Sequence, residues 1–177
     1  MTTSFNNFEI AIDDAKDLIE SFDIINATPD RKASEALKRA ALVMTVTAWE
    51  TYIEDVAIEL FNNKFSVVKG SHIGNYIHNQ LHIQIKCLHN PDSTKVKKLF
   101  VDFLDFDVTE KWTWANYHTP ELARTALNKW LNRRGEAVHR AQIDMTKPDL
   151  VKRDEVDKCI RFFTELATIT DKALSAI

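Results

Sequence analysis

The run Trp130-Leu131-Asn132-Arg133-Arg134-Gly135-Glu136-Ala137-Val138-His139-Arg140 holds the side chains best suited to chemistry. Arginine grips phosphate because its guanidinium is planar, permanently charged and able to bond bidentately. Histidine exchanges a proton near neutral pH. Such a pair is the minimum for cleaving RNA without a metal. One group moves the proton of the 2′-hydroxyl or of the leaving oxygen, and the other stabilises the charge of the phosphorane. Spacing leaves two readings open. Arg134 and His139 stand five residues apart, about 140° around a regular helix, so one helix does not converge them. A second copy of the chain could complete the site. In the other reading Arg134 is a surface arginine paired with a carboxylate, and His139 is partly buried and satisfied by backbone. Arg133 and Arg140 are candidate RNA contacts, although Glu136 and Arg140 also have the spacing of a helix ion pair. Glu50 either orients an arginine or moves a proton, or is simply a solvated or ion-paired glutamate.

A second constellation is His78, His82 and His89, with His72 just upstream. On one continuous helix the first three share a face. His-x3-His can bind zinc, but a catalytic site usually adds a third ligand and a base. Residues 71–89 contain no acid, so a polar face or dimer surface is the expectation and no metal is assigned. Trp112, Trp114, Trp130 and Tyr117 are read first as packing and second as stacking platforms for RNA bases. Cys87 and Cys159 read as reduced core thiols, since neither has the surroundings of a catalytic cysteine.

Helices must position these groups. Phe8, Ile12, Ala15, Ile19 and Phe22 alternate in steps of four and three, one apolar stripe on a helix over about 4–25. Thr28-Pro29-Asp30 has the cap, proline and acid of a helix start. A long central helix is expected from there to about residue 63, apolar or small on every side from Ala40 to Trp49. Its early bases and late acids oppose the helix dipole, so neighbours or solvent must account for them. A shorter helix is expected over 74–88, another from Pro91-Asp92-Ser93, an ordered aromatic loop over 105–118, a helix from Thr119-Pro120-Glu121, a loop around 144–149, and a closing helix carrying Val156, Ile160, Phe163, Ala167, Thr170, Leu174 and Ile177. This predicts an all-α bundle of about five or six helices, one domain over 1–177, without internal repeat or linker.

Composition agrees. Only 3 glycines and 4 prolines occur in 177 residues, too few for folds built on tight turns or phosphate loops. No Gly-rich phosphate cradle is present, and no cofactor is expected. No apolar run is long enough to cross a bilayer. The N-terminal Met-Thr-Thr-Ser-Phe-Asn-Asn lacks the marks of a signal peptide, so a cytoplasmic location is expected. Net charge is −3, yet it is unevenly spread. Residues 122–153 hold eight basic side chains against three acids, a local +5 that leaves −8 for the remainder.

An Arg-x4-His motif late in an all-α chain, with a long central helix and a closing helix, resembles the HEPN superfamily. The Trp130–Arg140 run and Ala48-Trp49-Glu50-Thr51-Tyr52-Ile53-Glu54 look closest to its RiboL-PSP-like branch. The resemblance implies a HEPN-like bundle and a metal-independent endoribonuclease. It also implies a homodimer pairing two motif copies, and service as a toxin or defence component that an antitoxin protein can restrain. Carried onto this chain, Arg134 is the motif arginine and His139 the motif histidine. The family often has a polar residue, commonly asparagine, after the arginine; here it is Gly135. Ala141 stands where a tyrosine is common. These departures leave open a non-catalytic module that binds RNA or a protein.

Overall fold

In the computed structural model, which describes residues 1–139 and 151–177, the four-three stripe from Phe8 to Phe22 is the buried face of α1, Thr3–Ala27. The first turn of α1 has no acid of its own; the Thr2 hydroxyl oxygen accepts from the Phe5 amide at 3.1 Å, and the amides before it are met from elsewhere. The Thr2 amide and hydroxyl donate to Asp171, the amide at 3.2 Å. The Thr3 and Ser4 amides donate to Glu59 at 3.0 and 2.8 Å. Asp171 is fully buried, and these donors, with the Tyr52 hydroxyl at 3.4 Å, make its burial tolerable.

Thr28-Pro29-Asp30 ends α1 rather than starting the next helix. Thr28 is its extended C-cap, as a residue before proline prefers, and Asp30 turns left-handed at φ 61°. The Ala33 amide then donates to the Asn26 side chain at 3.1 Å. Ser34, not Thr28, caps α2, Glu35–Lys64, six residues later than the sequence suggests. Lys38 near its start is buried, paired with Glu35 at 2.6 Å and set over the Phe22 ring. Neighbours thus account for at least part of the adverse charge order of α2.

Four further helices follow: α3, His72–Lys86; α4, Ser93–Leu104, capped by Asp92; α5, Pro120–His139; and α6, Arg153–Ser175. Proline does open α5, where its missing N–H costs nothing. Between α4 and α5 a 3₁₀ turn at Val108–Lys111 and a Trp114–Tyr117 bridge order the aromatic stretch. Its Trp112 is fully buried, 6.0 Å from the Trp49 ring, and donates to Thr170 at 2.9 Å.

All six helices feed one hydrophobic cluster, with α2 touching each of the others. The all-α bundle with a long central helix is therefore the architecture, and no strand occurs among the described residues. No described helix is long and apolar enough to cross a membrane. Cys159 is buried as expected, and its thiol pKa is pushed up by burial. Cys87, against the expectation of a core thiol, is exposed: it caps the end of α3, and the neighbouring Leu88 takes the core position instead. The loop expected at 144–149 lies outside the described residues.

Candidate functional site

Along α5 the buried positions are Ala123, Leu127, Leu131 and Ala137. At about 100° per residue Arg134 falls within about 20° of Leu127, on the stripe that faces the bundle. His139 falls about 120° from Leu127, off that stripe, and it is exposed at the C-terminal end of the helix. One chain therefore turns Arg134 inward and His139 outward.

Arg134 meets a shelf made by α2 and the α3–α4 connection. Its Nη1 donates to Asn90 Oδ1 at 2.8 Å, and its Nη2 lies 3.7 Å from Glu50 Oε2. The second distance is that of an ion pair without a hydrogen bond. The buried Nε has no hydrogen-bond partner among the described residues. The arginine is held in place while most of its five donors stay uncommitted. About a quarter of its side chain is open to solvent.

The shelf is rigid. The Asn90 amide donates to Glu50 Oε1 at 2.8 Å, and the Trp49 indole donates to the Pro91 carbonyl at 3.3 Å. Lys95 donates to the carbonyls of His89 and Asn90. Ser93 and Asn128 exchange hydrogen bonds of 3.1 and 3.2 Å, fastening the start of α4 to α5. Asn90 itself sits at φ 51°, a left-handed conformation that asparagine tolerates. Glu54, one turn beyond Glu50, has its pKa raised by burial first and then by Glu50 and Asp55, with His89 pulling the other way. Glu50 thus realises the ion-paired reading and also orients the motif arginine.

Arg133 points elsewhere. It donates to Glu136 at 2.8 Å and to Glu155 at 3.1 and 3.3 Å, tying α5 to the first turn of α6. Arg140 lies outside the described residues. Gly135 has open space where a side chain would project, with nothing within 4 Å. Among the aromatics, Trp112 is core, and Trp114 and Tyr117 pack on Phe162. His89 leaves the face shared by His78 and His82, since α3 ends first. It joins the Arg134 shelf instead. Sequence reasoning misses Asn90, whose only signal is Asn-Pro-Asp-Ser, a turn leading into a helix.

The family profile described as RiboL-PSP-HEPN matches residues 9–176. The chain belongs to the RiboL-PSP branch of the HEPN family. No curated protein and no solved structure gives a match. The match runs from within α1 to the end of α6 and includes the Arg134 shelf and the exposed His139.

Proposed function

We propose that this HEPN protein is a metal-independent endoribonuclease acting as a homodimer. The observation that carries the reading is Arg134, held by Asn90 through Nη1 and by Glu50 beside Nη2, with a quarter of its side chain open to solvent and Nη hydrogens left to donate. A phosphate fits those donors bidentately. In the reaction the RNA 2′-oxygen attacks phosphorus and loses its proton, the bond to the 5′-oxygen breaks, and that oxygen gains a proton. The products are a 2′,3′-cyclic phosphate and a free 5′-hydroxyl. His139 transfers protons and Arg134 stabilises the charge of the phosphorane. Because His139 faces away from Arg134 on α5, the reading joins Arg134 of one protomer to His139 of the second. Arg140 continues the basic run as a steering charge. Arg133, already paired with Glu136 and Glu155, contributes mainly by holding α5 on α6.

Purified protein incubated with RNA and EDTA is expected to cleave. His139→Ala lowers the rate by about 10²–10⁴, the usual worth of a positioned proton-transfer group. Arg134→Ala lowers it by about 10²–10³, the worth of an oxyanion donor. Equal cleavage by wild type and a folded His139→Ala variant overturns the assignment. The second reading, a module that binds RNA without cutting it, draws on Glu50 beside Arg134 and on Gly135. It predicts retarded RNA that stays intact after long incubation. A toxin role, in turn, predicts growth arrest on expression that His139→Ala relieves.

A further inference from the structure

Four histidines fall within residues 72–89, and two of them meet on α3. Nε2 of His78 lies 3.1 Å from Nε2 of His82, with ring centroids 4.3 Å apart. The His78 ring also packs on Phe61 of α2 at 6.1 Å and lines a cavity of about 110 Å³ together with Asn62, Phe65, Asn75 and the cationic Lys69. Two imidazole nitrogens this close share one proton comfortably. A second would set two N–H groups against each other. A metal ion can take the proton's place. At metal–nitrogen distances of about 2.0–2.1 Å, two ligand nitrogens lie about 2.9 Å apart at a right angle and about 3.4 Å apart at the tetrahedral angle. The observed separation falls between these limits.

We propose that His78 and His82 form a two-histidine site for a divalent transition ion of the zinc, nickel or copper type. Imidazole suits these ions, which require the neutral ring. Among the described residues no group of three or more His, Cys, Asp or Glu could hold a metal ion. Water fills the rest of the shell, and the ion exchanges freely. The site is separate from the Arg134 shelf. Phe61 lies eleven residues beyond Glu50 on α2, about 16 Å along the axis. Occupancy therefore clamps one turn of α3 and leaves the proposed RNA chemistry alone.

Titration of the metal-stripped, tag-free chain with zinc chloride is expected to give saturable one-to-one binding. His78→Ala and His82→Ala each abolish it, and His89→Ala retains it. In the wild-type chain zinc should shift the ring nitrogen resonances of only these two histidines, a measurement that needs no variant. Hydrogen exchange across α3 should slow with zinc in wild type and stay unchanged in His82→Ala. Unsaturable binding, equal binding by His82→Ala, or zinc-induced shifts confined to other histidines overturns the proposal.

Discussion

Gly135 occupies the interior of α5, where a Cβ would meet nothing within 4 Å. Glycine there costs helix stability through backbone entropy alone. Gly135→Ala is expected to stabilise the fold by about 1 kcal/mol. A thermal melt should register it as a rise of about 2–4 °C. A lower melting temperature would mean the space is not free. Glu50 makes the opposite kind of contribution, since its charge competes with phosphate for Arg134. Glu50→Gln is expected to tighten RNA binding by up to about fivefold, equivalent to roughly 1 kcal/mol for a 3.7 Å pair without a hydrogen bond. Fluorescence anisotropy at fixed salt checks this, and weaker binding would assign Glu50 to support rather than competition. Arg134 and His139 are conspicuous in the sequence because their types and spacing are local. Asn90 is not. Its role depends on α2 and α5 reaching the same turn from distant parts of the chain, which no spacing rule encodes.

At the scale of elements, the apolar stripes of α1 and α6 are legible because each helix buries one regular face. The boundary at residues 28–34 is harder, since threonine, proline and aspartate serve equally to end one helix or to begin the next. The left-handed turn at Asp30 and the Asn26 bond to Ala33 decide it. The start of α1 is likewise closed by side chains remote in sequence, and that closure carries a pH dependence. Burial raises the Glu59 pKa, but hydrogen bonds from the Ser4 hydroxyl and the Ser4 and Thr3 amides outweigh it and hold the group below its ordinary 4.5. A depressed carboxyl contributes stability above its unfolded value and loses it as pH falls through the folded one. Denaturant melts from pH 7 downward should therefore show wild type losing more stability below about pH 4.5 than Glu59→Gln does. Parallel curves would refute the linkage.

Across the whole molecule, the proposed reaction requires two copies, because α5 faces Arg134 and His139 in different directions. A mixture of Arg134→Ala and His139→Ala chains, each inactive alone, is expected to recover cleavage once subunits exchange. One protomer then supplies the intact arginine and the other the intact histidine. Continued inactivity in a mixture proven to contain heterodimers would rule out the composite site. The basic window from 122 to 153 is visible as a charge count, but its meaning changes in three dimensions. Arg133 and Arg153 are engaged by Glu136, Glu155, Asp23 and Asp157. Local charge alone overstates the basic surface there.

The closure of α1 by Asp171 also bears on the order in which the protein is made. Thr2 and its acceptor are separated by 169 positions. A chain growing from the ribosome exposes the first helix long before α6 exists to receive its leading amide. Glu59 of α2 can meet the Thr3 and Ser4 amides well before then, so only the Thr2 bond waits for α6.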